Sequence, residues 1–310
     1  MSGDPLTSVV TVRDLRMRYG DNDVLTGVDF DIAAGDVVCL LGPNGAGKTT
    51  TIEILEGFRI RSAGDVRVLG QDPANADEDW RARTGVVLQS WRDHPRWTPR
   101  RLLTHLGGYF APYSTAERTR PHDVDLLLET VGLTELADDK IATLSGGQRR
   151  RLDVAVGIVG RPELLFLDEP TAGFDPQARR EFHDLIRRLS DSEGTTILLT
   201  THDLDEAEKL ADRVLVLAAG RIVADETVDQ LASRLSGEAQ VRWMLDGIRH
   251  RESVLDGTEF VRRLFAEHGD AITDLEVRRA SLEDAYLTLV QQHEAGHGDA
   301  AAKLFSEMTR

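Results

Sequence analysis

The run GPNGAGKT, Gly42–Thr49, narrows what this chain can fold into more than any other stretch. It follows the apolar VVCLL and opens into the helix-like TTTIEILEGF, and it matches the pattern G-x-x-x-x-G-K-[ST]. A glycine-rich loop in this setting lets the backbone curl so that successive N–H groups face a phosphate, while the start of the helix adds positive potential. Gly42, Pro43, Asn44, Gly45, Ala46, Gly47, Lys48, Thr49 and Thr50 are therefore the expected cradle. Lys48 is placed to reach the β and γ phosphates, and the Thr49 hydroxyl to bind Mg²⁺.

Mg²⁺ takes hard oxygen ligands and keeps several waters, so a carboxylate is expected at the end of a neighbouring buried strand. ELLFLDEP supplies Asp168 and Glu169 there. Asp168 is assigned to the metal side, and Glu169 is left to polarise an attacking water as general base.

The other apolar runs, TGVVLQ, TTILLTTH and DRVLVLAAG, read as buried strands, several followed by helical patterns. This alternation implies an α/β layered sheet covered by helices. It is preceded by a β-rich section, SVVTVRDLRMRYG and VDFDI, punctuated by Gly and Asp. Between about 90 and 160 the character changes to helix-forming sequence with Pro interruptions, a helical insert. After 235 come AQVRWML, GTEFVRRLFAEHG, AITDLEVRR and SLEDAYLTLVQQ, which predict strand, helix, strand and helix in a small α+β domain over 236–292. The closing HEAGHGDAAAKLFSEMTR, 293–310, is expected to be a flexible tail.

With 310 residues the chain has room for one large domain and a smaller appendage. Its formal net charge of −16 argues against a broad nucleic-acid surface, which needs clustered Lys and Arg. Local basic runs such as Arg149–Arg151 are the exceptions to this balance, and that run is expected to be a solvated helix face. The single cysteine, Cys39, lies in DVVCLLG and reads as a small buried hydrophobe. No basic patch followed by an apolar stretch opens the chain, and no apolar run approaches the ~20 residues of a spanning helix. The expectation is a cytoplasmic protein whose membrane role, if any, comes through a partner.

LSGGQRRRL, Leu144–Leu152, starts a second helix with glycines. Its residues can be an ordinary N-cap, or a second anion site made from unblocked N–H groups and the helix dipole. In the order GPNGAGKTT, LSGGQ, LLFLDEPTAGFDP and TTHDLDEAEKLADRV, the chain resembles the nucleotide-binding subunit of ABC transporters from about Val9 to about Leu235. This resemblance implies a P-loop NTPase core over 1–235 and hydrolysis of ATP with Mg²⁺. It also implies a head-to-tail homodimer in which each ATP lies between the P-loop of one copy and Ser145, Gly146, Gly147 and Gln148 of the other.

Carried over position by position, Tyr19 resembles the aromatic that stacks on adenine, and Gln89 the residue that touches both Mg²⁺ and the attacking water. Asp175 resembles the acid that communicates across the dimer, and His202 the switch residue at the γ phosphate. Phe174 departs from the Leu more usual in the family. The ending EVRRASLEDAYLTLV resembles that of ATPases driving bacterial drug and polysaccharide export, the daunorubicin-resistance type above all; Ser281 and Asp284 also resemble a capping box. Such a subunit pairs with a separate membrane permease and sits peripherally on the inner face of the cell membrane, and Trp91 and Trp97 lie where the family docks it. An importer or a non-transport ABC ATPase is the alternative. HEAGH, His293–His297, fits H-E-x-x-H, but its glycines make a poor helix for zinc.

Overall fold

Two long strands, β1 (Ser8–Tyr19) and β2 (Asn22–Ala33), pair antiparallel and bury alternate side chains. Along β1 the inward residues are Val10 and Val12, then Leu15 and Met17. The alternation slips at Arg13–Asp14, where Asp14 takes a φ of 47° and the register against β2 shifts; this bulge is what keeps both halves of the strand facing the core. The computed structural model describes residues 8–87, 95–171, 174–201, 203–235, 239–245, 247–254, 256–279 and Tyr286. By packing the chain divides into two compact units, Met1–Ile222 and Val223–Arg310.

β3 (Val37–Leu41) is buried at all five positions and leads through the glycine-rich loop into α1 (Lys48–Leu55). β4 (Ala63–Val68), a short strand with only two fully buried residues, joins β1 to complete a three-stranded sheet in the order β2-β1-β4. α2 (Glu78–Arg83) starts at Asp77, whose carboxylate accepts from Trp80 N–H, and it sets the Trp80 indole N–H on Val68 O at 2.7 Å. β5 (Thr84–Val87) then begins the main sheet.

The helical insert follows as α3 (Pro99–Gly107), α4 (Val124–Thr130) and α5 (Gly146–Ile158), started by Thr98, Asp123 and Ser145 as side-chain caps. The chain returns through β6 (Leu164–Asp168), the amphipathic α6 (Pro176–Glu193), β7 (Thr196–Thr201), α7 (Leu204–Leu210), β8 (Arg213–Ala218) and β9 (Arg221–Thr227). The six strands order as β5-β6-β7-β3-β8-β9, and the four pairs from β5 to β8 are parallel. β3, β6 and β8 read as nearly continuous apolar runs and β7, half threonine, is buried throughout, the pattern of a sheet covered on both faces. Cys39, at the centre of β3, is fully buried as expected.

The register decides where the chemistry gathers. Asp168 of β6 pairs with Thr200 of β7, and Thr200 pairs with Leu40 of β3, so the ends of three adjacent strands stand level. Ligands of open parallel sheets bind outside these carboxyl ends.

β9 carries the chain into the second unit, which continues with α8 (Val228–Leu235), β10 (Ala239–Leu245), β11 (Ile248–Val254), α9 (Gly257–His268) and β12 (Ile272–Arg279). Its sheet is antiparallel in the order β11-β10-β12 around a small core of Val241, Trp243, Leu264 and Ile272. β11 corrects the strand–helix–strand reading. IRHRESV carries three charges and a histidine in seven positions, but the preceding Asp-Gly is a hairpin signal, and Gly247 takes the required positive φ of 76°. The helix expected from Ser281 lies outside the described residues except for Tyr286, which is helical. The tail 293–310, with HEAGH, lies outside them altogether.

Candidate functional site

The loop from β3 to α1 needs glycine for two different reasons. At Gly42 a Cβ would stand 2.4 Å from the carbonyl oxygen of Leu217 in β8, so the loop leaves the sheet by passing against a neighbouring backbone. Gly47 caps α1 in the left-handed conformation, φ 104°, and a Cβ there would meet Leu25 Cδ2 at 2.6 Å. Thr51 Oγ1 donates to Gly47 O at 2.9 Å and fastens the loop to the helix. Asn44 and Gly45 are exposed, Pro43 and Thr50 half-buried and Ala46 buried.

Lys48 is buried, 7% exposed, and its ammonium donates to Gly42 O at 2.7 Å and Pro43 O at 3.3 Å. Burial pulls its pKa below the usual lysine value, opposed by the charges of Glu169 and Asp168. These two carboxylates are thus the charges nearest in effect to the cradle cation. Thr49, one residue on, exposes its side chain at the first turn of α1. The exposed Thr49 hydroxyl and the half-buried Asp168 carboxylate are hard oxygen donors, the chemistry that suits Mg²⁺ with water completing its shell.

Thr200 organises the acids. Its hydroxyl donates to Asp168 Oδ1 at 2.6 Å and accepts from the Glu169 N–H at 3.0 Å, while Thr200 O accepts from the same N–H at 3.2 Å. Glu169 has φ 44°, a left-handed conformation that costs a non-glycine residue about 1–2 kcal/mol. The left-handed residue ends the extended run of β6 directly after Asp168.

Arg150 corrects the expectation of a solvated basic face. It is 7% exposed, and its Nε donates to Pro170 O at 2.8 Å and a terminal nitrogen to Asp168 O at 3.5 Å. Helix α5, termed the signature helix because it begins at Ser145–Gln148, therefore reaches across to the backbone of the acidic strand end. Arg149 pairs with Asp153 at 3.3 Å and Arg151 with Glu181 at 3.4 Å.

The second glycine-rich start is a complete capping box: Ser145 Oγ accepts from Gln148 N–H at 3.3 Å and Gln148 Oε1 from Ser145 N–H at 2.9 Å. Beside it Asp175 caps α6, its Oδ1 accepting from the N–H groups of Gln177 and Ala178, which hold its pKa below the usual carboxylate value. Ser145, Gly146, Gly147, Gln148 and Asp175 share one open hollow of about 400 Å³, and no residue of Gly42–Thr49 lines it. Phe174 packs edge-on against Phe182 at 5.9 Å between centroids, so the departure from Leu keeps an apolar contact.

Tyr19 ends β1 with 40% of its surface exposed and the Arg59 guanidinium 5.2 Å over its ring. Trp97 is half-buried, with Arg101 4.6 Å over its ring and His105 against its edge. Gln89, Trp91 and His202 lie outside the described residues; β5 ends at Val87 and β7 at Thr201. Sequence reasoning missed Thr200 and Glu206 around this site and misread Arg150. Glu206 is buried on α7 and accepts from Thr201 and Thr171; burial raises its pKa. The signal available for each was only a polar residue at a position the local pattern leaves buried.

The family model described as ABC transporter matches residues 25–172. The chain is 35% identical over 307 residues to Daunorubicin resistance ATP-binding protein DrrA2 of Streptomyces coeruleorubidus, a match covering 90% of this chain and 94% of that protein. It is 41% identical over 216 residues to Nod factor export ATP-binding protein I of Burkholderia lata, covering 70% of each. Among solved structures, the ADP conformation of an ATP-binding cassette of an ABC transporter superposes with a TM-score of 0.61 at 25% identity, covering 71% of this chain and 91% of that one. An ATP-binding subunit of an ABC transporter shares the fold with a TM-score of 0.65 at 24% identity, over 91% of this chain and 99% of that one.

Proposed function

This chain belongs to the ABC transporter family as an ATP-binding subunit with ATPase activity, and from that premise we propose that it powers an exporter by ATP-driven head-to-tail dimerisation against a separate membrane permease. The observation that carries the dimer is the hollow at Ser145 and Asp175, which no residue of its own phosphate loop lines. A γ phosphate held at the loop of one copy meets the signature of another, which makes two composite sites per dimer. Export rests on the likeness to proteins named for daunorubicin resistance and Nod factor export. No helix among the described residues is long and apolar enough to cross a membrane. The proposal assigns the transport path to the permease and this subunit to the inner membrane face.

In this reading residues 1–235 are the nucleotide-binding domain, taken through α8 past the packing division at Ile222, 236–292 the small C-terminal domain and 293–310 the tail. Lys48 and the N–H groups of the loop hold the phosphates, with Tyr19 under the adenine. Thr49, Asp168 and Gln89 would hold Mg²⁺, which supplies neutralisation of charge on the β and γ oxygens. Glu169 accepts the proton of the attacking water, and Thr200 holds the Asp168 carboxylate and the Glu169 main chain while it does so. His202 positions the γ phosphate.

Glu169→Gln in the full chain tests the reading, because it should retain ATP but lose roughly 10²- to 10⁴-fold in turnover. Purified from its native membranes with MgATP, the variant should be a dimer carrying an integral membrane protein. A monomer that brings down no membrane protein would overturn the transporter assignment.

A further inference from the structure

The adenine side of the site contains an ion pair and a ring contact that the phosphate chemistry does not use. Tyr19 ends β1 at a tight turn, with Asn22 opposite it and Gly20 at φ 58° between them. Its ring is part-exposed, and the Arg59 guanidinium lies 5.2 Å from its centroid, within the range of a cation–π contact. Arg59 is itself tied down. Its Nε donates to Glu53 Oε2 at 2.6 Å, and its main-chain N–H to Glu53 O at 3.0 Å. Both partners of the pair are about one-third exposed. Glu53 stands on α1 one helical turn beyond Thr49. A chain of contacts therefore runs from the helix behind the phosphate loop, through Glu53 and Arg59, to the ring of Tyr19.

An aromatic ring has two faces, and a guanidinium laid on one leaves the other for a base. We infer that Arg59 is a positioning residue for the nucleotide base: it closes one face of Tyr19, and Glu53 fixes that closure to the helix carrying the phosphate loop. The inference rests on the reading that Tyr19 stacks on adenine. Without the pair, Tyr19 would be a side chain at a two-residue turn, free to rotate among its staggered positions. With it, the ring is held before the base arrives, and less rotamer freedom is lost on binding. The cation also withdraws charge from the ring, which favours stacking of an electron-rich base on the other face.

The test compares dissociation constants for MgATP and Mg-tripolyphosphate on the full chain, since tripolyphosphate occupies the loop without a base. Arg59→Ala should weaken MgATP about two- to fivefold, the worth of an exposed cation–π contact, and leave tripolyphosphate unchanged. Arg59→Lys should recover most of the loss, and Glu53→Ala should reproduce it. Tyr19→Ala should cost MgATP about tenfold or more, and Tyr19→Ala with Arg59→Ala should bind no worse than Tyr19→Ala alone. Equal weakening of tripolyphosphate, tighter MgATP binding by Arg59→Ala, or additive losses in the double variant would each overturn the role of Arg59 while leaving Tyr19 under the base. Unchanged MgATP binding by Tyr19→Ala would instead remove the stacking reading itself, and this inference with it.

Discussion

The Thr200 hydroxyl donates a hydrogen bond to Asp168 Oδ1 at 2.6 Å, and the same oxygen accepts from the Glu169 N–H at 3.0 Å. One side chain on β7 thereby holds both the Asp168 carboxylate and the strained backbone of Glu169, the residues proposed for the metal side and for the general base. Thr200→Val is nearly isosteric but removes both bonds, leaving only the main-chain contact from Glu169 N–H to Thr200 O. Turnover should fall on the order of 10- to 100-fold through misplacement of the reacting groups, with ATP affinity nearly kept. Thr200→Ser should retain most of the rate. Steady-state hydrolysis alongside equilibrium ATP binding separates the two, and a Val variant with parental turnover would remove Thr200 from the site.

Arg150 makes a stability prediction. Replacing it with Met keeps bulk but leaves Pro170 O without its cationic donor. Asp153 is not orphaned, because Arg149 pairs with it at 3.3 Å. The loss is therefore the hydrogen bonds less the relieved burial of a cation, and burial already pulls the Arg150 pKa down. About 1–3 kcal/mol remains, or several degrees in Tm for a domain of this size. Arg150→Lys should fall between Met and the parent, and a Met variant melting with the parent would make the buried guanidinium irrelevant to the fold.

Glu56 makes the protein respond to pH. It ends α1 and is buried, and burial first, then the charges of Asp168 and Glu53, push its pKa from 4.5 up to about 8. Between those values the folded chain keeps a proton that the unfolded chain has released. This group's contribution is therefore greatest below about pH 4.5 and falls as pH rises through about 8. Glu56→Gln removes the slope. The difference in unfolding free energy, variant minus parent, should grow in the variant's favour from pH 5 to pH 8 by on the order of a few kcal/mol. Denaturant titrations at both pH values check it; a difference that stays constant would mean Glu56 ionises normally.

Much of this was legible because the motifs are local. A loop needing glycines at Gly42 and Gly47, or a carboxylate closing a run of apolar residues at Asp168, announces itself within a few positions. What stayed hidden depends on tertiary pairing. Thr200 looks like any strand threonine until the register sets it opposite Asp168. Arg150 looks solvated between two other arginines until α5 is packed, because burying a charge depends on acceptors twenty residues away at Pro170. β11 was obscured by its charges, which sit on a strand at the edge of its sheet, where alternate positions can remain in water.

The composite site admits a test that no single variant can give. Lys48→Ala removes the cradle cation, and Ser145→Arg fills the start of the signature helix, where Ser145 now forms half of a capping box. Each variant as a homodimer carries a lesion in both sites and should fail to occlude ATP. In a mixed dimer the two arrangements part company. If the signature acts on the nucleotide of the other copy, one site collects both lesions, and the second has an intact Lys48 facing an intact Ser145. If it acts on its own copy's nucleotide, every site stays damaged. Occlusion of ATP with Mg²⁺ is the measurement to make, because turnover could require both sites together. Mixing the variants should restore occlusion toward one nucleotide per dimer. Absence of any recovery, with mixed dimers demonstrated by differently tagged chains, would sink the head-to-tail arrangement and return Ser145 to the role of an ordinary helix cap.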